Sequence, residues 1–530
     1  MQSESPTKAK IGRSAAVIGI AVLCSRLLGL VREQVFAGLF GAGFAYDSFV
    51  VAFRIPNLLR DLFGEGALSA AFVTVFSDYN TRKSLDQTWQ LASNILSFFA
   101  VALSLIVLLG IFCAAPLVDL LAPGFALTAG KSELTVTLTR IMLPFLVCIS
   151  LAAVVMGILN TKGRFFVPAI ASSFFNLGSI IGGTSLAYIL PEYGYPAIAG
   201  MACGTLIGGL LQLAVQIPSL YRLGFRYKPQ LRITDPGLLR VLKLMVPATI
   251  GLSATQLNIF INTSFAASCG QGAVSWLNYA FRLVQLPIGL FGVALSIAML
   301  PLLAQQASLK KIDEMKETMT SSLTMVFALT LPATFGLIFL SRPIIMLIFE
   351  HGAFTAADTM ATAQTLGLYA VGLFAYSANK ILVPAFYAIN KTKYPVIASF
   401  IAVACNLIII NLTIDQFQHL AIALSTSVTM ILNFIFLLTV LNREMKGLPL
   451  AQLIKNLAKI LCACLFLSLI LFLADSYLPS LLSSHISLQI TSLFATIILA
   501  TGTYGICLHF LGLEEMQLIT KKVLGRFKRS

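Results

Sequence analysis

The chain has 530 residues, 58% of them apolar and only 11% charged, with a mean hydropathy of +0.90. No soluble domain of that length has such a composition, and its apolar runs repeatedly reach the ~20 residues that a bilayer requires, so it reads as an all-α polytopic membrane protein. Its net charge of +15 sits in short basic loops rather than in a basic stripe with interleaved aromatics, which argues against a nucleic-acid partner.

Taken in chain order, hydrophobic runs and breakers predict fourteen transmembrane helices, at about 12–40, 46–78, 88–117, 134–159, 166–190, 195–221, 238–266, 272–305, 319–347, 362–389, 395–414, 419–441, 453–475 and 487–511. The leading MQSESPTKAKIGR is basic and lacks a clear small-residue cleavage site, so the first span reads as retained. Loops after even-numbered spans carry Arg82 and Lys83, Lys162 and Arg164, Arg222 to Arg232, Lys310 and Lys311, Lys391 and Lys393, and Arg443 and Lys446. Loops on the other side hold Asp119, Glu192, Glu350, Asp358, Asp415 and Asp475, with Lys131 almost the only cation. Positive charge stays on the cytoplasmic side, which places both termini there and favours an even number of spans. The basic, leucine-dotted segment 222–243 is expected to rest on the headgroups.

The stretch Ser25–Ser77 departs from this pattern. Arg26, Arg32, Arg54 and Arg60 fall among leucines, valines and phenylalanines at depths where lipid tails are expected. A charge there costs from ~3 kcal/mol upward, so such residues face a bundle interior or a wet cavity. Asp47, Arg54 and Asp61 are seven residues apart and share one helical face, as do Arg26 and Glu33. At ~1.5 Å per residue, Arg26 and Arg60 lie at similar levels, roughly 22 Å into the first helix, and the four arginines are expected to form one cationic layer. The same residues also fit a structural reading in which the acids Glu33, Asp47, Asp61, Glu65 and Asp78 simply neutralise them.

An internal repeat appears at an offset near 228–230. AFRIPNL at 52–58 resembles AFRLVQL at 280–286, with 282 − 54 = 228, and FGEGALS at 63–69 resembles FGVALS at 291–296. Asn160 and Asn176 are echoed by Asn390 and Asn406, with 406 − 176 = 230. Six helices per copy is an even number, so the copies point the same way, with a site expected near the midplane. The predicted organisation is an N-lobe at 1–228, a C-lobe at 229–449, an added helix pair at 450–512 and a basic cytoplasmic tail at 513–530. Arg282 repeats Arg54 without an acid on its own helix, and Lys380 adds another intramembrane cation. Arg54 and Arg282 each precede a proline, Pro56 and Pro287, which bends a helix and frees a carbonyl. Gly200, Gly204 and Gly208 should let one helix approach a neighbour closely. Asn258, Asn262 and Asn406 suit either a polar network that coordinates an ion or plain interhelical hydrogen bonds.

Enzyme signatures are scarce. GFALTAGKS at 124–132 has five residues between its glycines where a phosphate loop has four, the four histidines form no metalloprotease motif, and nine scattered cysteines form no metal array. No metal or resident cofactor is expected. Without an ATP engine, uphill transport must draw on an ion gradient or the membrane potential, at ~2.3 kcal/mol per charge per 100 mV.

SRLLGLVRE, FGAGFAYDSFVVAFRIPNLLRDLFGEGALSAAFVTVFS and YAFRLVQLPIGLFGVALSIAMLPLL resemble the MurJ (MviN) lipid II flippase family of the multidrug/oligosaccharidyl-lipid/polysaccharide exporter superfamily. The resemblance implies a two-lobed transporter of the bacterial inner membrane that flips undecaprenyl-diphosphate-linked muropeptide by alternating access. It implies substrate-binding roles for Arg26, Arg32 and Arg282, with Arg54 and Arg60 beside them. Supporting or gating roles follow for Glu33, Asp47, Asp61, Glu65 and Gln285, and a lipid-tail groove for the added helix pair. Na+ or H+ is the expected coupling cation, and the expected state is a monomer among membrane phospholipids and wall-synthesis proteins. Three positions depart from the family pattern: Arg54 replaces a lysine of some members, Gln285 a glutamate and Phe281 an aspartate. The alternatives are a flippase for another lipid-linked glycan and a cation-coupled solute exporter, although an exporter of organic cations would want acids rather than arginines. A membrane glycosyltransferase would need catalytic carboxylates in large loops, and the longest loops here are about fifteen to twenty residues.

Overall fold

The computed structural model describes residues 6–63, 66–482 and 486–513, and every regular element among them is helical. Glu65 and the tail beyond Leu513 lie outside the described residues. The chain divides into two compact units, Met1–Ser275 and Trp276–Ser530.

The first unit contains α1 (Pro6–Phe40), α2 (Phe44–Phe63), α3 (Ala67–Arg82), α4 (Leu85–Phe112), α5 (Ala114–Leu121), α6 (Lys131–Met142), α7 (Phe145–Thr161), α8 (Phe166–Ile189), α9 (Ala197–Ala214), α10 (Ile217–Arg222) and α11 (Pro236–Ser268). The repeat places a boundary at 228/229, whereas packing places it after Ser275, because α11 is tied into the first unit. Arg240 on α11 pairs with Asp78 on α3 at 2.5 Å, and Gln256 donates to Asp61 on α2 at 3.2 Å.

The second unit contains α12 (Ala273–Pro287), whose first three residues belong to the first unit, then α13 (Ala294–Ser308), α14 (Ile312–Phe339), α15 (Ser341–Phe349), α16 (Ala356–Val371), α17 (Leu373–Ala388), α18 (Lys393–Phe417), α19 (His419–Glu444), α20 (Leu450–Leu482) and α21 (Ile486–Phe510). The last pair packs on α14: the Tyr504 hydroxyl donates to the Ala328 carbonyl at 2.7 Å, and Asn456 donates to Thr324 at 3.3 Å. Met319, Leu323, Phe327, Ile381, Phe386, Cys464 and Leu508 form part of the dry core there.

Among the described residues, eleven helices are long and apolar enough to cross a membrane, or twelve if α16 and α17, bent by 42°, count as one span. Outside that set lie α1, which carries Arg26, Arg32 and Glu33, and α2–α3, which carry Asp47, Arg54, Arg60 and Asp61. Several predicted spans are broken. The run 46–78 divides into α2 and α3, 88–117 into α4 and α5, and 319–347 into α14 and α15, whereas α6 and α7 together make one span over Lys131–Thr161. Hydropathy registers depth but not direction, so a turn inside an apolar run leaves no trace in it. Pro144 opens α7, and the α12–α13 run passes through a π-helical turn at Ile288–Val293 directly after Pro287.

The tightest helix contact is α8 on α9. A Cβ on Gly204 would lie 2.4 Å from the Gly183 Cα, and one on Gly208 would lie 2.4 Å from the Phe175 carbonyl oxygen. Small residues at four-residue spacing let the backbones meet, as the sequence pattern implies. Gly204→Ala should therefore destabilise the protein by ~1–3 kcal/mol through overpacking, read as a lower midpoint of thermal unfolding in detergent. Gly336→Ala on α14, where a Cβ meets nothing within 4 Å, should leave that midpoint unchanged or raise it.

Candidate functional site

The charged residues of the α1–α2 hairpin are withdrawn from lipid: Arg32 and Glu33 are buried, and Arg26, Arg54 and Arg60 are half-buried. On α1, Arg32 Nη2 donates to Glu33 Oε1 at 2.8 Å, and the Tyr46 hydroxyl of α2 donates to Glu33 Oε2 at 2.5 Å. The Arg32 guanidinium also lies 5.4 Å from the Phe175 ring centroid and 5.9 Å from that of Phe36. Aromatic faces attract a cation and keep bulk water from it. Its Nε has no hydrogen-bond acceptor, so a buried guanidinium retains donor capacity beyond its single ion pair. Beside Arg26, the Asn176 amide of α8 donates to the Ser25 carbonyl at 3.0 Å, which fixes α1 against α8.

Toward the end of α2, Arg60 donates to Asp61 Oδ1 through Nε at 3.1 Å and Nη2 at 2.9 Å. Gln256 of α11 donates to the other Asp61 oxygen. Arg32 and Arg60 thus each pair with the acid that follows them, as the structural reading of the hairpin requires. Each acid also has a neutral donor, so neither depends on its arginine alone. Pro56 lies inside α2, two residues past Arg54.

Asp47 has no exposed surface. Its Oδ2 accepts from Lys131 Nζ and from the Gly272 N–H, both at 2.8 Å, and its Oδ1 accepts from the Ser275 N–H at 2.9 Å and the Ser275 hydroxyl at 2.5 Å. Four donors, drawn from the first residue of α6 and from the chain at the start of α12, satisfy both oxygens of this carboxylate. Lys131 Nζ also lies 4.2 Å from the Phe125 ring centroid. Sequence reasoning set Lys131 aside as a stray cation in the outer loops, and it passed over Ser275 altogether. The signal was present: Ser275 follows Asp47 by 275 − 47 = 228 residues, the offset that relates Arg282 to Arg54.

In the second unit, half-buried Arg282 and Gln285 lie on α12. Phe281 packs edge-on against Tyr369, with ring centroids 5.3 Å apart, and lies 6.2 Å from Tyr376. At the start of α12, the Trp276 indole donates to Asp358 at 2.9 Å, and Asp358 and Thr355 form the capping box of α16. Asn406 is fully buried and accepts from the Ser425 hydroxyl at 2.7 Å, while Lys380 on α17 is exposed. Asn258 and Asn262 are half-buried, one turn apart on α11 in the first unit, so the residues suggested as a polar network do not share one unit. Glu65 falls outside the described residues.

Replacing the Asp47 carboxylate leaves Lys131 buried without its anion. Asp47→Asn should cost ~3–5 kcal/mol of stability, measured by thermal unfolding in detergent. Asp47→Asn combined with Lys131→Met should recover part of that loss, because the uncompensated charge is then gone.

A family model described as "Lipid II flippase MurJ" matches residues 36–492. A probable lipid II flippase MurJ of Buchnera aphidicola (subsp. Acyrthosiphon pisum) is 36% identical over 79% of this chain and 81% of its own length. One from Vibrio cholerae is 34% identical over 80% and 82%. The lipid II flippase MurJ of Burkholderia cenocepacia is 37% identical over 72% and 74%. Among solved structures, a lipid II flippase MurJ in an inward closed conformation superposes with a TM-score of 0.74 at 28% identity, covering 92% of this chain and 98% of that one. An inward-facing multidrug-resistance MATE family transporter of the MOP superfamily shares the fold, with a TM-score of 0.65 at 16% identity over 82% of this chain and 99% of its own. On the family match and these relatives together, the chain belongs to the MurJ family of lipid II flippases.

Proposed function

We propose that this protein carries lipid II, the undecaprenyl-diphosphate-linked peptidoglycan precursor, from the inner to the outer leaflet of the bacterial inner membrane by alternating access. Both termini lie in the cytoplasm in this reading, in keeping with the distribution of basic loops. Arg26, Arg32, Arg54, Arg60 and Arg282 are the residues that meet the diphosphate. Guanidinium suits this task because it stays charged at any physiological pH and offers a planar fork of donors to phosphate oxygens. The observation that carries the reading is Arg32: a buried cation, flanked by two aromatic rings, whose Nε lacks an acceptor. A purely structural arginine at that depth would have its donors satisfied by protein, since a buried orphan donor costs ~1–3 kcal/mol.

The isoprenoid tail has no need of a polar path, so only the headgroup must cross. With no nucleotide-binding motif in the sequence, the driving force is assigned to an ion gradient or the membrane potential, with Na+ or H+ as the coupling cation.

Charge-neutral substitutions Arg26→Gln, Arg32→Gln and Arg282→Gln should each lower lipid II translocation about 10- to 100-fold, the equivalent of one charged hydrogen bond. Amounts of folded protein in the membrane should remain normal. The measurement is leaflet-resolved accessibility of labelled lipid II in vesicles, with and without an imposed ion gradient. Full transport by Arg32→Gln would reduce this arginine to a structural partner of Glu33.

A further inference from the structure

Between α10 and α11 the chain does not lie loosely on the surface. Residues 225–232 form an irregular strap fastened along α4, and a turn at 233–234, closed by the Asp235 N–H on the Arg232 carbonyl at 3.2 Å, leads into α11. The Tyr227 hydroxyl and the Ser97 hydroxyl are 2.8 Å apart, and the Gln230 amide donates to the Gln90 carbonyl at 2.5 Å. Asn94 holds both backbone groups of one residue, accepting from the Arg232 N–H at 2.7 Å and donating to the Arg232 carbonyl at 3.0 Å. Phe225 is buried with its ring 5.4 Å from Trp89. A basic segment expected only to rest on headgroups is thus built into the first unit.

Behind the strap lies a cavity of about 190 Å³, lined among others by Tyr79, Lys83, Gln87, Asn94, Arg232 and Asp235. Its acids are already engaged. Asp235 caps α11 by accepting from the Leu238 N–H at 2.9 Å, and nearby Asp78 is held by Arg82 at 2.9 Å and Arg240 at 2.5 Å. Lys83 and Arg232 form no direct ion pair among the described residues, although the Arg240 hydrogen bond, joined by the charges of Arg82, Arg240 and Lys83, holds the Asp78 carboxyl below its ordinary value. Arg232 lines the cavity at its mouth and is itself exposed, as are its neighbours Leu231 and Ile233, at 50% and 60%. On α4, a helix apolar enough to span the membrane, Val101, Leu105, Leu108 and Leu109 are exposed as well.

We propose that this cavity binds the phosphate of an anionic phospholipid, with Lys83 and Arg232 meeting the phosphate oxygens and Leu231 and Ile233 lying along the first carbons of the acyl chains. A soluble phosphate would satisfy the two cations but leave those apolar side chains uncovered. The lipid, bound against strap and α4 together, would hold α10 and α11 in register with α3. The site is separate from the hairpin arginines and independent of which cargo the protein moves.

The test uses the purified full-length chain and native mass spectrometry to count bound lipids, with phosphatidylglycerol and phosphatidylcholine as probes. Phosphatidylglycerol should be retained in preference, and Lys83→Gln with Arg232→Gln should weaken its binding about tenfold. Arg164→Gln with Arg222→Gln removes the same charge outside the cavity and should leave binding unchanged. Both side chains of the cavity pair are exposed, so that variant should unfold at the wild-type temperature in phosphatidylcholine and lose only the upward shift given by phosphatidylglycerol. Equal losses from the two pairs of substitutions would reduce the effect to diffuse surface charge and overturn the proposal. Stabilisation by inorganic phosphate equal to that by phosphatidylglycerol, and lost in the Lys83/Arg232 variant, would overturn the lipid assignment.

Discussion

The burial of Asp47 sets the geometry of the first unit. A carboxylate with no exposed surface must be satisfied entirely by protein, and this one draws its donors from the first residue of α6 and from the chain around the start of α12. In a low-dielectric setting each such bond is strong, and the loss of any partner leaves the others poorly compensated. Asp47, in the first turn of α2, therefore fixes Gly272 and Ser275 at the end of the first unit. The helix that carries Arg282 departs from α-helical winding at Ile288–Val293, past Pro287, where Gly292 approaches Ser377 so closely that a Cβ would come within 3.0 Å of its Cα. Within the second unit, that approach sets the π-helical turn against α17, five residues past the end of α12.

Much of this was legible in the sequence because bilayers constrain chains severely. Apolar runs located most of the helices, arginines among apolar residues marked the hairpin, and the glycine triplet on α9 signalled a close approach to a neighbour, which is α8. The repeat offset carried more than it first disclosed. It related Arg54 to Arg282 and, by the same count of 228, Asp47 to the serine that donates to it twice. What the sequence hid were features that depend on direction rather than depth. The breaks at Cys113, Leu340 and Gly372 lie inside continuous apolar runs, where hydropathy does not vary. Lys131 looked like a loop cation because neither its burial nor its partner 84 residues away leaves a local signature.

The arginines divide by environment. Arg32 and Arg60 each have an adjacent acid that a second, neutral group also holds, Tyr46 in one case and Gln256 in the other. Such an arrangement keeps the carboxylate in place if its arginine turns toward another anion, because a neutral donor remains to it. A bare arginine–carboxylate pair would strand the acid whenever the arginine left, at a cost of several kcal/mol in a buried setting.

The surroundings of Arg282 bear on coupling. The α12 sequence AVSWLNYAFRLVQLP contains no carboxylate, and the neighbour of Arg282 at position 281 is a phenylalanine packed against Tyr369. An acid at position 281 or 285 would lend this helix a proton- or cation-binding group beside its arginine. Here the first position is filled by an aromatic contact and the second by an amide that does not titrate. Along α12 itself, then, a proton or cation finds no carboxylate. Under the flippase reading proposed above, the diphosphate falls to arginines such as Arg282, and on this helix proton coupling has no acid to work through.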